Sequence, residues 1–383
     1  RHDRATPAAL RAWRLQAIAN PAFRQPVRPT SATIHLDALR HNLARIRALA
    51  PRSRVMAVVK ADGYGHGLER VAHALEGADA FGVASLADAE RLRAAGLSQR
   101  IVLLSGFDEA ADLPQLRRLG LDSVVHHESQ LALLDADPGE GPPIRCWLKL
   151  DTGMHRLGFP ASQADAVLAR LRQRPNVDPD VVLMTHFASS DEFGGAQTPA
   201  QMAAFEAATG GLPGARSLAN SAAVLGWSQT HADWIRPGGA LYGISVVPGR
   251  TGLDFGLEPA MSLTSRLIAI NRVARGERVG YGASWTCPED MPVGVVALGY
   301  GDGYPRLAPP GTPMLVNGVR VPTIGRISMD LITLDLRSVP DARVGDPVVA
   351  WGRGLPVEEV AASAGTIGYE LVCSITRRPA NPT

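Results

Sequence analysis

Short apolar runs alternate with amphipathic stretches from residue 31 to about residue 243. Runs at 32–36, 54–60, 80–84, 101–105, 123–126, 144–150, 181–186, 216–219 and 240–244 predict strands; helical periods at 36–49, 68–75, 87–95, 110–119, 129–134, 164–171 and 201–209 predict helices between them. Strand and helix units in this number favour an α/β TIM-type barrel, closed and parallel, over an open sheet. Nine candidates exceed eight strands, so the first is assigned outside the barrel. Beyond about Leu257 the helical period fades, and short runs at 263–270, 292–298, 314–316, 332–335 and 347–350 are punctuated by Gly and Pro. They predict a separate C-terminal, mainly-β domain. The expected organisation is an extension at 1–30, with an amphipathic helix at 8–18, then a strand at 31–37 associated with the C-terminal domain. The (β/α)8 barrel follows at 38–256 and the β domain at 257–383.

Composition narrows the partners. The chain has 383 residues, 45% of them apolar and 20% charged, which is material for a core and two domains. Its 39 basic and 37 acidic residues nearly cancel, and no basic stripe interleaves with aromatics, so nucleic acid is not expected. Cys146, Cys287 and Cys373 are odd in number and far apart. They fit neither a disulfide framework nor a metal cluster and point to a reducing compartment. No apolar span reaches transmembrane length, so a soluble protein without a membrane partner is expected, cytoplasmic unless a signal was removed ahead of Arg1.

Candidate chemistry gathers where the predicted barrel strands end. Lys60 closes the run Val55-Met56-Ala57-Val58-Val59 and opens Ala61-Asp62-Gly63-Tyr64-Gly65-His66-Gly67. A lysine at the rim of a core is costly unless paired, and it escapes through a lowered pKa or a covalent bond to a carbonyl. The plain alternative is a surface lysine after a strand. Lys149, Asp151, Thr152 and Arg156 follow another run, His186 ends a third, Asn220 and Ser221 follow a fourth, and Arg236, Gly238 and Gly239 precede the last. Singly, His186 reads as a core histidine and Asp151 and Thr152 as a turn or cap. Together they share one face of a barrel, the face that carries chemistry in this architecture. Gly238, Gly239 and Ser221 offer backbone N–H groups and a hydroxyl to a phosphate. A Schiff-base lysine beside an anion pocket is met economically by pyridoxal 5'-phosphate.

From about residue 31 onward the chain resembles the fold-type III pyridoxal-phosphate enzymes, in particular the bacterial alanine racemases. The resemblance rests on Val59-Lys60-Ala61-Asp62-Gly63-Tyr64-Gly65-His66-Gly67, Lys149-Leu150-Asp151-Thr152-Gly153-Met154-His155-Arg156-Leu157-Gly158, Asn220-Ser221-Ala222, Arg236-Pro237-Gly238, Val279-Gly280-Tyr281-Gly282 and Gly325-Arg326-Ile327-Ser328-Met329-Asp330, in that order. It implies interconversion of L- and D-alanine, for D-alanine biosynthesis and peptidoglycan or for alanine catabolism. Lys60 would hold the cofactor and act as one base, and Tyr281 of a neighbouring subunit would act as the other, in a homodimer with shared sites. Tyr64, Ser221, Gly238, Gly239 and Tyr369 would hold the phosphate. Arg156 would contact the cofactor's phenolic oxygen, with Lys149, carbamylated, orienting it. His186, Asn220 and Arg236 would complete the cofactor's surroundings, Arg236 facing the ring nitrogen and, with His186, tuning Tyr281. Tyr300 and Met329 would line the carboxylate side of a small amino-acid substrate, together with Arg156.

Racemisation itself demands two bases flanking one carbon, because a proton must leave one face and return on the other. Lysine and tyrosine, with free values near about 10.4 and 10, suit this only if their surroundings bring them down. A broad-specificity amino-acid racemase, a decarboxylase on the same barrel and a non-catalytic cofactor carrier are the alternatives. The long C-terminal portion, with its Tyr281 motif, argues against the last two.

Overall fold

The computed structural model describes residues 28–380; residues 1–27, with the helix expected at 8–18, lie outside the described residues. Eight parallel strands close a barrel: β2 (Arg54–Val58), β3 (Ala80–Val83), β4 (Arg100–Leu103), β5 (Leu121–Val125), β6 (Arg145–Asp151), β8 (Val182–Met184), β9 (Arg216–Ser217) and β10 (Trp234–Ile235). The ring closes through β5 on β6 and β10 on β2. The short β7 (Phe159–Pro160) hangs on β6. Helices including Leu36–Leu49, Leu68–Ala74, Leu86–Ala94, Asp112–Leu119, Ala164–Arg172 and Gln197–Thr209 connect and clothe the strands.

The ninth strand candidate, at 240–244, is a correction. That segment is a 3₁₀ turn, Gly239–Tyr242, and Gly243 leaves it at φ +76°, where a side chain would also strike the Glu258 carbonyl. The last barrel strand is instead Trp234–Ile235, two residues held in register with Arg54 and Val55. Arg236, Gly238 and Gly239 therefore follow the last strand rather than precede it.

The amino end of the barrel is filled. Met56, Val102, Val124, Trp147, Met184 and Trp234 pack inside it, with the two indoles edge to face at 5.4 Å. Asp122, fully buried, accepts from Arg145 Nε at 2.6 Å and Trp147 Nε1 at 2.8 Å and pairs with Arg100. Removing such a partner from a buried carboxylate costs about 3–5 kcal/mol. With the interior filled by this cluster, the cavity that Lys60 and Arg236 line lies at the carboxyl ends of the strands.

The second domain is a closed antiparallel sheet. β1 (Ser31–Ile34), β11 (Met261–Val273), β14 (Met291–Val296), β17 (Ile332–Asp335), β16 (Val319–Ile324), β15 (Pro313–Val316) and β18 (Pro347–Trp351) pair in that order, and β18 returns to β11. β1 precedes the barrel in sequence but pairs with Met261–Thr264 of the second domain. A small ribbon of β12 (Arg278–Val279) and β13 (Trp285–Thr286) carries Tyr281 at its bend. Near the end, the helix Gly368–Cys373 crosses back to the barrel.

Candidate active site

Strand β2 ends at Val58, and Lys60 opens a tight left-handed turn rather than finishing the strand. Ala61, Asp62, Gly63 and Tyr64 all take φ between 51° and 62°. For non-glycine residues this conformation costs roughly 1–2 kcal/mol each, so it persists only where surroundings over-determine it. Gly63 N–H donates to the Val59 carbonyl at 2.9 Å, Gly67 N–H to the Asp62 carbonyl at 2.8 Å, and Asp62 Oδ1 accepts from Leu68 N–H at 3.1 Å. A Cβ on Gly65 would fall 2.2 Å from the Val372 carbonyl, so the helix Gly368–Cys373 clamps the turn from outside. His66 sits buried behind it, with Nδ1 against the Tyr64 carbonyl at 2.7 Å, and burial pushes its pKa down to about 4.

The turn delivers Lys60 and Tyr64 to a cavity of about 540 Å³ at the carboxyl end of the barrel. Lys149, Arg156, His186, Asn220, Ser221, Arg236, Gly238, Gly239 and Tyr369 line the same cavity. Of the residues singled out in the sequence, these eleven come together. Tyr281, Tyr300 and Met329 do not: they stand on the second domain, 70%, 36% and 52% exposed, and line none of it. Asp151 and Thr152 are the structural residues their plainer reading suggests. Asp151 Oδ1 caps a turn by accepting from the N–H groups of Gly153, Met154 and His155, and the Thr152 hydroxyl meets that of Thr185 at 2.7 Å.

One flank of the cavity is an anion cradle. Ser221 Oγ accepts from Gly238 N–H at 2.8 Å and Ala240 N–H at 3.2 Å, which fixes the glycine backbone beside the first turn of the helix Ser221–Gly226. Asn220 caps that helix, its side chain accepting from Ala223 N–H at 3.1 Å. The glycines are required. A Cβ on Gly238 would meet the Tyr64 hydroxyl at 2.4 Å, and one on Gly239 would meet the Tyr369 hydroxyl at 2.3 Å. The two phenols thus converge on bare backbone, Tyr64 stacked on Tyr242 at 4.7 Å and edge-on to Tyr369 at 5.6 Å. Burial raises the pKa of both, so each remains a neutral donor.

The rest of the cavity is crowded with positive charge. Lys60 is reached by solvent through the opening, yet its pKa is lowered, first by burial and then by Arg156. Lys149 is pushed down to about 8 by burial, followed by Arg236, Arg156 and Lys60. Arg236, wholly buried, is pushed down to about 10 and stays a cation near neutrality; the free-residue value above about 12 does not survive this environment. Its Nη1 donates to Ser217 Oγ at 2.7 Å and its Nη2 to the Thr185 carbonyl at 2.6 Å, with His186 Nδ1 at 3.3 Å. His186 is held well below its ordinary pKa by burial and then by Arg236, so it is neutral and accepts. Four cations around one hollow, with Asp191 the only carboxylate lining it among the described residues, make a site prepared for an anion.

Cys373 also lines the cavity and was not foreseen. Its signal was present: it lies four residues after Tyr369, on the same face of one helix. Ser190, whose hydroxyl donates to Asn220 Oδ1 at 2.7 Å, carried no such mark.

Two family models cover most of the chain: "Alanine racemase, N-terminal domain" matches residues 34–246 and "Alanine racemase, C-terminal domain" residues 260–381. Among relatives, the alanine racemase of Shewanella amazonensis is 56% identical over 357 residues, 91% of this chain and 97% of its own. Among solved structures, the biosynthetic alanine racemase of Pseudomonas aeruginosa superposes with a TM-score of 0.90 at 46% identity, covering 93% of this chain and 99% of that one. The alanine racemase of Bartonella henselae with covalently bound pyridoxal phosphate gives 0.82 at 26% identity, over 92% and 99%.

Proposed function

The chain belongs to the alanine racemase family, and from that premise we propose that it interconverts L-alanine and D-alanine with pyridoxal 5'-phosphate as cofactor. The observation that carries this is Lys60, its amine brought below the ordinary lysine range, facing a cavity whose opposite flank is the bare Gly238–Gly239 backbone, Ser221 and two phenols. A phosphorylated aldehyde fits both ends of that arrangement. When bound, the cofactor supplies an electron sink that acidifies the α-hydrogen of the amino acid.

The protein's residues do the rest. Tyr64, Ser221, Gly238, Gly239 and Tyr369 would hold the phosphate, with Asn220 fixing the helix start behind it. Arg236 keeps its proton at neutral pH and so withholds one from a ring nitrogen placed against it, which restrains side reactions that need that nitrogen protonated. Neutral His186 holds Arg236 from behind. Arg156 forms no ion pair among the described residues, which leaves its guanidinium for a phenolic oxygen and a substrate carboxylate. Lys149, largely deprived of its ordinary proton affinity, would take up CO2 as a carbamate and orient Arg156.

The opposite base is Tyr281 of a second copy. Its exposure, together with that of Tyr300 and Met329 on the same domain, supports a homodimer in which each barrel is completed by its neighbour's second domain. On this reading residues 38–256 form the cofactor unit and 257–383 the completing unit, with residues 1–30 ahead of them and residues 31–37, which hold the strand Ser31–Ile34 and the start of the helix Leu36–Leu49, assigned to the latter. Tyr281 takes the α-proton of L-alanine and Lys60 that of D-alanine. We place the work in the cytoplasm: Cys146, Cys287 and Cys373 are all free, and no helix among the described residues is long and apolar enough to cross a membrane. The test is a racemisation assay in both directions, run on alanine beside serine, lysine and arginine. Borohydride should fix the cofactor to the peptide containing Lys60; finding it on another lysine would refute the assignment.

A further inference from the structure

Both ends of the described chain converge on the two turns that carry Tyr300 and Met329. The turns are stitched by backbone, Tyr300 N–H donating to the Ser328 carbonyl at 3.0 Å and Gly301 N–H to the Met329 carbonyl at 2.9 Å. Each turn contributes an aspartate. Asp302 is fully buried and accepts from Gly299 N–H at 3.0 Å, while Asp330 follows Met329 directly. Arg28, just ahead of β1, bridges both carboxylates: Nη2 lies 3.2 Å from Asp302 Oδ2, Nη1 lies 3.3 Å from Asp330 Oδ1, and Nη2 also donates to the Asp330 carbonyl at 2.8 Å.

Arg378 repeats the bridge from the other end of the chain. Its Nε lies 3.4 Å from Asp302 Oδ1 and its Nη2 pairs with Asp330 Oδ1. A Cβ on Gly301 would fall 2.0 Å from Arg378 Nη1, so this guanidinium rests on the backbone between Tyr300 and Asp302. The side chains of Arg28, Arg378 and Asp330 are 29%, 38% and 46% exposed. The pairs to exposed Asp330 contribute little stability, whereas buried Asp302 depends on these cations for its compensation. What the forked Arg28 guanidinium fixes by hydrogen-bonding both carboxylates is direction, and Arg378, hydrogen-bonded to Asp330 and in ion-pair range of Asp302, adds to it.

We propose that Arg28 and Arg378 are positioning residues, holding the paired turns so that Tyr300 and Met329 meet the carboxylate of alanine in the neighbouring subunit's site. This rests on the shared-site reading above. It also gives work to Arg28, which precedes both family-model matches. A misplaced carboxylate pocket weakens substrate binding while leaving both bases in place, so the loss appears in KM rather than kcat.

The experiment uses cofactor-loaded enzyme. Arg28→Gln and Arg378→Gln should each raise KM for both enantiomers about tenfold with kcat within about twofold, and Arg28→Lys should recover only part, because a single ammonium lacks the planar fork whose two nitrogens reach Asp302, Asp330 and the Asp330 carbonyl together. Dual-tagged heterodimers pairing Arg28→Gln with Lys60→Ala should show the wild-type KM, since their one working barrel faces the intact turns. Unchanged KM in Arg28→Gln and Arg378→Gln, with KM raised in Tyr300→Phe, would overturn the positioning role and leave the shared site standing. A raised KM persisting in the heterodimer would overturn the action across subunits. If Tyr300→Phe itself left KM unchanged, the shared-site reading would fall and this proposal with it.

Discussion

At the carboxyl end of the barrel, Lys60, Lys149, Arg156 and Arg236 crowd into a hollow held by backbone cradles, a strained turn and a neutral histidine, whereas Tyr281, Tyr300 and Met329 stand on an open surface of the second domain. The first region has its energetic cost already met. Burying like charges and holding four residues at positive φ is tolerated because β2, β10 and the helix Gly368–Cys373 brace them from several sides. The second region is more open: Tyr281 and Met329 are mostly exposed, and the half-covered Tyr300 ring has the Arg306 guanidinium 6.0 Å from its centre. One face holds its cavity by itself; the other, on the shared-site reading proposed above, would take its chemical meaning from a second copy.

The comparison is broken most severely at Lys60. Lys60→Ala should lower racemisation by about 10⁴-fold or more, since on the proposed reading it removes both the cofactor's anchor and one base. Thermal unfolding should hardly move, because the side chain opens on the cavity. Activity within tenfold of wild type would remove Lys60 from the mechanism.

Tyr281→Phe tests the open face. Turnover should fall by roughly 10²–10⁴-fold in both directions, since either product needs a proton on the far side. Proton NMR in deuterated solvent should still show α-hydrogen exchange from D-alanine, with exchange from L-alanine collapsing. The opposite pattern would reverse the facial assignment. Mixed with Lys60→Ala, the variant should regain partial activity, because one site of the heterodimer keeps both bases; no recovery would place both bases in one chain.

The two faces also differ in how far they could be read from residues alone. Lys60 was legible because a charge ending an apolar run is locally anomalous, and the barrel because its helix and strand periods are local. The turn at Ala61–Tyr64 was not, since residues other than glycine enter positive φ only under tertiary contacts such as that of the Val372 carbonyl. Strand β10 is two residues long and runs into Arg236 and Pro237, too short for a period, so the apolar pattern points instead to the neighbouring run at 240–244. Strand β16 carries Arg320 and Pro322 and reads as a loop until its partner β15 is known. The bridges of Arg28 span 274 and 302 residues of sequence and leave no local trace, and Arg378 reaches Asp330 across 48.

Ser221→Ala sharpens the cradle. The hydroxyl's hold on the Gly238 and Ala240 N–H groups should be lost, and the apoenzyme's Kd for pyridoxal phosphate should rise about tenfold, or about 1.4 kcal/mol. Fluorescence titration of apoenzyme reads this directly. Unchanged affinity would show that the backbone holds its shape without the hydroxyl.

The smallest effect belongs to Lys149 and depends on the crowding that separates the two regions. With its pKa pushed down to about 8, roughly a tenth of the side chain is neutral amine at pH 7, against under about a thousandth at the ordinary value near 10.4. The amine nitrogen can then attack CO2 and release its proton to solvent, replacing a cation by an anion beside Arg156 and Arg236. Stripping CO2 should lower kcat/KM about fivefold, reversibly on adding bicarbonate, and Lys149→Gln should show the loss without the response. The sign of the pH effect follows from the lowered folded-state value. In CO2-free buffer the unfolded chain binds more protons than the folded one between about pH 8 and 10.4, so this residue's contribution makes the protein more stable as pH rises through that window. Denaturant unfolding across the window should show that rise in the wild type and a flatter profile in Lys149→Gln; identical profiles would mean that Lys149 keeps its ordinary proton affinity and has no advantage toward CO2.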